Sequence, residues 1–398
     1  MKNAIYILCL SSILFVWTIP FSDAQSREGS SVNLDSGIGI VSPDSSLSFN
    51  FRFFMQNLIE YKTPVNSGGE SDFSARIQRL RLQMEGFLMD PKLIYKFQLE
   101  LASKSTSSAI GGQLPQAIYE AMIYYRFSER FRLGFGQTVV PGTRQMMNSG
   151  AALQLVDRSL LNSVFGLDLD FGLFAEYKID PSAARPVVLH AAVTSGEGGN
   201  WAKTGDGGLS YTGRVDWYPL GLFMGNGGYQ EGDLEWHETS RVMIGGAYNF
   251  NHKAKRSGGQ KGFLLSESRD IMTMTADFMF KYRGWSLLGD FVWRDSKNSM
   301  DGEAAEPGFI FNGKGLNFQA GRYVLSGWEF VGKYSKTLPD IEIQDVAPEQ
   351  DQWTLGLNKY IRGRKIKLQG EVSWHQSQIA VHSSADAIGV RMQVQLAL

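Results

Sequence analysis

Apolar and polar residues alternate over the last eleven residues of the chain. Apolar side chains fill every second position from Ile388 to Leu398. The positions between them include Arg391, Gln393 and Gln395. Because successive side chains of a β-strand point to opposite faces, this period of two predicts a strand with one apolar and one polar face. A strand of this length and pattern is typical of an outer-membrane barrel, although the edge of a soluble sandwich could show it too.

The same alternation recurs from Leu47 to the C-terminus, in sixteen segments. Clear examples are residues 47–56, 79–85, 92–101, 272–281 and 365–374. A chain of many short alternating segments predicts an all-β fold. We interpret it as a transmembrane antiparallel β-barrel of sixteen strands.

The connections between these segments alternate in length. The predicted long connections are residues 58–73, 104–115, 137–170, 195–208, 251–269, 295–310 and 338–351. The predicted short connections are Asp90-Pro91, Ser128-Glu129, 180–185, Arg283-Gly284, Ser326-Gly327 and Arg362-Gly363. One connection, residues 219–239, falls where a short turn is expected and is long. Long extracellular loops and short periplasmic turns are characteristic of outer-membrane barrels.

The N-terminus has the pattern of a secretory signal peptide. A positive Lys2 precedes an apolar run, and Ser22-Asp23-Ala24 places small residues at the −3 and −1 cleavage positions. We therefore expect a mature protein that begins at Gln25. The only cysteine, Cys9, lies within this segment, which excludes disulfides and cysteine-based zinc sites in the mature chain. The predicted parts are a signal peptide, an N-terminal periplasmic segment and a transmembrane β-barrel, over residues 1–24, 25–45 and 46–398.

Composition agrees with a barrel better than with a helical membrane protein. After Ala24 the chain has no predominantly apolar run of 18 or more residues, yet 43% of its residues are hydrophobic. A barrel reconciles these facts because each strand turns only half of its residues toward lipid. The formal net charge of −1 gives no indication of nucleic-acid binding, so the expected partner is the outer-membrane lipid bilayer.

No motif in the chain predicts a cofactor, a metal site or catalysis. Residues 308–314 fit the phosphate-loop spacing, but Gly315 follows where a Ser or Thr must meet magnesium. Residues 168–170 lack the remaining ligands of a calcium loop, and the five histidines have no metal-binding spacing. We therefore expect no cofactor and no enzymatic activity.

The polar faces and the longest loop carry the candidate selectivity residues. They are Arg79, Arg81, Arg130, Arg132, Arg144, Arg158 and Arg214. A zone of cations in a narrow lumen would favour anions. The alternative is that these arginines pair with acids on neighbouring strands and only solvate the barrel interior. The 137–170 loop, which carries Arg144 and Arg158, is expected to fold into the lumen as a constriction; a loop outside the barrel is the alternative.

Several segments, in order, resemble one known family. They are 39–44 with 49–56, Arg79–Gly86, 136–141 with 149–159, Ser195–Asn200, Tyr211–Asp216 with 219–221, and Asp277 with 281–284. The chain resembles the phosphate-selective porin O and P family over nearly its whole mature length. The resemblance implies a sixteen-stranded porin in the outer membrane of a Gram-negative bacterium, and members are often trimeric, so a homotrimer is one expected state. It also implies passive diffusion of small polar or anionic solutes, with phosphate among the candidates.

Two other classes of protein share parts of this pattern. A barrel-type outer-membrane enzyme or adhesin would need a Ser, a His and an orienting polar residue near the lipid face, whereas His190 and His375 fall on polar faces. A soluble periplasmic β-sandwich that binds carbohydrate would explain the alternation and the aromatic residues. It would not explain the alternating loop lengths.

Overall fold

The computed structural model shows a closed antiparallel β-barrel of sixteen strands, as the sequence predicts. The described residues are 37–42, 44, 46–65, 69–102, 117–200, 208–302, 308–379 and 383–398. The predicted signal peptide, residues 1–24, and the predicted connection 104–115 lie outside them. Each barrel strand pairs with the next along the chain, and the last strand returns to pair with the first.

The strands and helices have the following bounds. The strands are β1 (Ile38–Val41), β2 (Ser48–Pro64), β3 (Asp72–Leu88), β4 (Asp90–Glu100), β5 (Ile118–Arg126), β6 (Phe131–Val139), β7 (Leu169–Lys178), β8 (Val187–Thr194), β9 (Ser210–Trp217), β10 (Arg241–Arg256), β11 (Leu264–Tyr282), β12 (Trp285–Ser296), β13 (Met300–Asp301), β14 (Gly308–Phe309), β15 (Gly313–Val324), β16 (Trp328–Pro339), β17 (Glu349–Arg362), β18 (Ile366–Ile379) and β19 (Ser383–Ala397). The helices are α1 (Arg144–Met147) and α2 (Leu160–Phe165), with 3₁₀ turns at Gly150–Ala152 and Gly227–Tyr229.

Three short strands stand outside the sixteen. β1 pairs with the start of β2, and β13 and β14 form a small hairpin in the connection after β12. No helix of the described residues is long and apolar enough to cross a membrane.

The alternation on β19 separates two faces as expected. The apolar set is exposed on the outside of the barrel, with 41% of Val390, 55% of Met392 and 49% of Val394 accessible. The intervening Gln393 and Gln395 are 2% and 0% accessible. Gln395 accepts a 2.9 Å hydrogen bond from Gln56 of β2, so the pair that closes the barrel is joined inside it.

Two predicted long loops are shorter in the structure than the sequence indicated. β2 and β3 remain paired as far as Lys62 and Asp72, so much of the predicted 58–73 loop is strand. β10 and β11 likewise remain paired well into the predicted 251–269 loop. The polar residues there signalled a loop because strands that rise above the membrane face water on both sides. An ion pair of 2.9 Å between Glu60 and Arg76 holds one such extension together.

The two-residue turn between β11 and β12 is confirmed at Arg283-Gly284. Both residues have positive φ, 44° and 83°, which is the conformation of the hairpin turn that matches the twist of the flanking strands. A Cβ on Gly284 would lie 2.6 Å from the Trp236 ring. Glycine is therefore required here by backbone conformation and by the close packing of Trp236.

Two connections fold into the barrel rather than away from it. The inward loop, residues 140–168, follows β6 on the extracellular side and contains α1 and α2. The periplasmic insert, residues 218–240, follows β9 on the opposite side. It is the connection whose length breaks the alternation in the sequence.

Candidate functional site

The inward loop begins its path across the lumen beside β9 and β11. The Arg144 guanidinium lies 2.5 Å from the Asp216 carboxylate, and both side chains are fully buried. Thr143 caps α1 by accepting from the backbone N–H of Met146, the usual role of a threonine before a first helical turn. The cap and the ion pair together fix where the loop leaves the wall.

The middle of the inward loop is tied to the opposite wall by its backbone. Lys367 of β18 donates to the Leu153 carbonyl at 2.7 Å, and Asn358 of β17 donates to the Gln154 carbonyl at 2.7 Å. The backbone N–H of Val156 donates to Glu371 at 2.9 Å. The loop therefore spans the lumen from β9 to β18, which is the geometry of a constriction.

The periplasmic insert meets the inward loop at Glu231. This carboxylate accepts from the Gln145 side chain at 2.8 Å, from the Gln154 backbone N–H at 2.8 Å and from the Gln319 side chain of β15 at 3.0 Å. Its own backbone N–H donates to the Ala152 carbonyl at 3.3 Å. One buried residue thus joins the insert, the loop and the wall.

The space left open lies to one side of these two segments. A cavity of about 810 Å³ is lined by residues of β2 to β8, by the inward loop and by the periplasmic insert. It reaches the periplasmic end of the barrel, where Lys365 and Leu398 line it. On the other side of the lumen, wall residues such as Lys281, Ser335 and Thr354 are almost fully buried beneath the two segments.

Ion pairs follow one another along the wall of this cavity. Their distances are 2.6 Å for Arg52–Glu85, 2.6 Å for Arg81–Glu100, 2.6 Å for Lys96–Glu120 and 2.6 Å for Arg132–Glu176. Each joins adjacent strands, and Arg81–Glu100 and Arg132–Glu176 stand directly opposite in the register. Cross-strand pairing of opposite charges is a common way to stabilise neighbouring strands. The wall therefore presents fixed dipoles rather than a row of cations alone.

The structure brings Arg81 and Arg132 to the same cavity but separates Arg79 from it. The Arg81 guanidinium also lies 3.7 Å above the Tyr119 ring, and that of Arg132 lies 5.1 Å from the Tyr124 ring. Arg79 is buried under the inward loop, 2.6 Å from Asp157. The three arginines thus lie near one passage, while only two line it.

Arg214 and Arg144 form a second group, buried deep beside the inward loop. Arg214 contacts Asp216 and Asp277, each at 2.6 Å, and Asp216 also holds Arg144. The Arg214–Asp277 pair passes over Gly245 of the intervening strand, where a Cβ would lie 2.2 Å from the guanidinium. Glycine is therefore required at 245 by space. These two arginines hold the loop and do not line the cavity.

Arg158 and Arg130 neither line the cavity nor tie the inward loop to the barrel wall. Arg158 donates to the backbone carbonyls of Asn148 at 2.6 Å and Gln145 at 2.9 Å, which pins α1 from within the loop. Arg130 is exposed at the periplasmic turn before β6. There its charge contributes to the lowered pKa of Asp180, after the stronger effect of hydrogen bonds from Ser182. The alternation that predicted a lumen position for Arg130 does not apply to it, because Arg130 lies between β5 and β6 rather than in a strand.

Glu197 and Lys261, in connections on the extracellular side, have shifted pKa values. Burial raises the pKa of Glu197 to about 6, and one of its oxygens has no hydrogen-bond partner. Burial lowers the pKa of Lys261 to about 8 while its ammonium donates to the Ser163 carbonyl at 2.8 Å. Within the described ranges, no three His, Cys, Asp or Glu side chains are grouped closely enough to hold a metal ion.

The sequence did not predict that the periplasmic insert folds into the barrel. Asn226 and Tyr229 of the insert line the cavity, and the Arg144 guanidinium lies 4.5 Å above the Tyr229 ring. One signal in the sequence was the excess length of residues 219–239. Length alone does not tell whether a segment folds inward.

Comparison with known proteins supports the family suggested by the sequence. The family model described as phosphate-selective porin O and P matches residues 46–225. The resemblance is confirmed over this range, which covers β2 to β9 and the whole inward loop. No curated protein matches the chain.

Solved outer-membrane proteins have a similar fold. The outer-membrane channel DcaP of Acinetobacter baumannii has a TM-score of 0.57 and 11% identity, covering 90% of this chain and 99% of that one. Pseudomonas putida OprB has a TM-score of 0.53 and 11% identity, covering 87% and 94%. Vibrio cholerae OmpT, solved in a trimer form, has a TM-score of 0.50 and 10% identity, covering 87% and 99%. At these identities the likeness is one of fold.

Proposed function

We propose, from the match of residues 46–225 to the phosphate-selective porin O and P family, that this chain is an outer-membrane porin for passive diffusion of small hydrophilic solutes. A barrel with an apolar outside and a polar inside suits this role because lipid and water each meet a compatible surface. The family and the similar folds indicate a channel rather than an enzyme.

The observation that carries the proposal is the off-centre cavity of about 810 Å³. Its lining includes charged and hydroxylated side chains, such as Arg132, Lys96 and Tyr119, that can replace part of a solute's hydration shell. The inward loop closes the middle of the barrel, so solutes would pass between this loop and β2 to β8. A wet, narrow passage of this kind admits small polar solutes and excludes large ones.

A modest anion preference follows from the side chains around the cavity. Among the described residues that line it, six are Lys or Arg and three are Glu. In a narrow passage with low-dielectric walls these charges are screened less than in open water. Because most of the cations are paired with acids, we expect the preference to be weak. Phosphate and other small anions are the candidate solutes.

The proposed location is the outer membrane of a Gram-negative bacterium, with short turns in the periplasm. The proposed assembly is a homotrimer, since the similar OmpT structure was solved in a trimer form. Crosslinking in membranes, followed by electrophoresis without heating, tests the assembly.

Reconstitution of the purified protein tests the function. We expect discrete current steps in a planar bilayer and, in a salt gradient, a reversal potential on the anion side of zero. Liposome swelling with sugars of increasing size should show a cut-off, because the inward loop narrows the path. A heat-unfolded sample is the control. Absence of current and of swelling in the folded protein would overturn the proposal.

A further inference from the structure

The periplasmic insert is anchored by an apolar cluster inside the barrel. Tyr218 and Phe223 of the insert pack against Met243, Met279 and Leu288, which are buried on inward faces of β10, β11 and β12. Apolar side chains on the lumen face of a porin would otherwise contact water. Their burial stabilises the insert against the wall. The insert is therefore built into the barrel.

Hydrogen bonds fix the insert at its middle and at its end. The Lys281 ammonium donates to the Gly227 and Gly232 carbonyls, each at 2.8 Å. The Gly284 backbone N–H donates to Asp233 at 2.7 Å, which joins the insert to the β11–β12 turn. A fully buried lysine with two carbonyl partners indicates a defined position, since leaving those groups unpaired would be costly.

His237 completes the anchor as a neutral side chain. Its Nε2 accepts from the Met224 backbone N–H at 2.9 Å, so Nδ1 carries the proton and donates to Asp233 at 2.5 Å. The imidazole therefore links two segments of the insert, one at Met224 and the other at Asp233. This link holds residues 224–233 as a compact unit.

Part of that unit faces the open cavity. Asn226 is exposed, and it and Tyr229 line the cavity together with Tyr124 and Arg132 of the wall. Tyr229 is placed from two sides, by the Arg144 guanidinium above its ring and by the Glu231 contacts two residues later. An aromatic side chain held in this way narrows a passage as a rigid group.

We propose that the periplasmic insert is a second pore-narrowing element, with Tyr229 and Asn226 as its pore-lining residues. With the inward loop it fills the half of the lumen bounded by β10 to β18 and confines solutes to the side of β2 to β8. The inference rests on the proposed porin function. It assigns solute size selection to a periplasmic segment as well as to the extracellular loop, so solutes are selected at two levels.

Modification of single cysteines tests whether Asn226 lines the path. Cys9 is the only cysteine and lies in the predicted signal peptide, so an introduced thiol would be unique in the mature chain. A bulky, charged methanethiosulfonate on Asn226→Cys should lower single-channel conductance roughly twofold, since it would narrow the passage. Leu222→Cys is the matched control because Leu222 is 51% exposed on the same insert and does not line the cavity. Its modification should leave conductance unchanged.

Substitution of Tyr229 is an independent test. Tyr229→Ala should raise conductance and shift the swelling cut-off to larger sugars, while Tyr229→Phe should behave as the wild type. A wild type that carries no current would overturn the porin function and this inference with it. A conducting wild type would overturn the inference alone if Asn226→Cys is unmodified or insensitive to modification, or if Tyr229→Ala conducts as the wild type.

Discussion

The Arg79 guanidinium lies 2.6 Å from the Asp157 carboxylate, so a cation of the barrel wall is neutralised by an acid of the inward loop. Asp157 also lies 3.3 Å from Arg391 of β19. One carboxylate therefore stands between two cations from strands β3 and β19, which lie on either side of β2. None of these three side chains lines the cavity, so they act on a passing solute through the electrostatic field in the lumen.

Removal of this carboxylate should strengthen anion preference. In Asp157→Asn the two arginines lose a shared counter-charge, and the potential near the loop becomes more positive. The reversal potential in a salt gradient should move further toward anion selectivity. Asp351→Asn is a matched control, because Asp351 pairs with Lys336 on the outer face of the barrel. A similar shift in both variants would mean that net charge, rather than position, governs selectivity.

Removal of three lumen arginines should have the opposite effect. With Arg79, Arg81 and Arg132 replaced by Ala, the three acids that pair with them keep their charge and lose that counter-charge. These acids are Asp157, Glu100 and Glu176. The reversal potential should move toward cation preference. Arg130→Ala, which removes an exposed arginine at the periplasmic turn, should not move it. If the triple variant keeps the wild-type reversal potential, the three arginines stabilise the barrel wall and do not determine ion selectivity.

On the lipid-facing side of β19, the loss of stability caused by an introduced charge should depend on its depth in the bilayer. Val390→Arg should destabilise the barrel by about 2–4 kcal/mol if it lies near the bilayer midplane. Val394→Arg should cost less, because Val394 is three residues from the periplasmic end of the strand at Ala397. Urea unfolding in lipid vesicles measures both, with Val390→Leu as the control. A larger cost at Val394 than at Val390 would contradict the proposed depth of the strand.

Glu197 should make stability depend on pH at the extracellular rim. Burial raises its pKa from 4.5 to about 6, so the folded state holds a proton that the unfolded state has released between these values. The contribution of Glu197 to stability is thus fully present below pH 4.5 and is lost as the pH rises through 6, by up to about 2 kcal/mol from a shift of this size.

Glu197→Gln should therefore stabilise the protein at neutral pH and have no effect near pH 4. The amide can still accept the 3.1 Å hydrogen bond from the Lys255 backbone N–H. Urea unfolding at the two pH values measures the difference. Glu267→Gln, at an exposed position on the same rim, is the control. Equal stability of Glu197→Gln and the wild type at pH 7 would show that other contacts offset the cost of burying the ionised carboxylate.

The strands were predictable from sequence because their signal is local. The face of Gln393 or Val394 follows from the neighbours on either side. Elsewhere register shifts interrupt the period of two, as between Gln56 and Asn57 of β2. The strand arginines Arg79, Arg81, Arg132 and Arg214 were predictable as lumen residues for the same reason. Their partners were not, because Arg79 meets Asp157 across 78 positions of the chain.

The position of the periplasmic insert depends on contacts of the same long-range kind. Glu231 meets Gln145 and Gln319, which are far from it in sequence and come from different elements. No local pattern in residues 218–240 predicts these contacts. The apolar Met243 and Met279 on lumen faces were a further sign, since such residues inside a porin need a covering segment. Their significance becomes visible only when the faces are known in three dimensions.

A comparison of two threonine-to-cysteine variants in conducting channels tests most directly whether solutes pass along β2 to β8. Thr138 of β6 lines the cavity, whereas Thr354 of β17 is 2% exposed on the lumen side that the two inward segments fill. The reagent is a charged methanethiosulfonate, applied during planar-bilayer recording. We predict that it lowers the current of Thr138→Cys and leaves that of Thr354→Cys unchanged. Equal reduction in both variants, or reduction in Thr354→Cys alone, would contradict a passage confined to the side of β2 to β8.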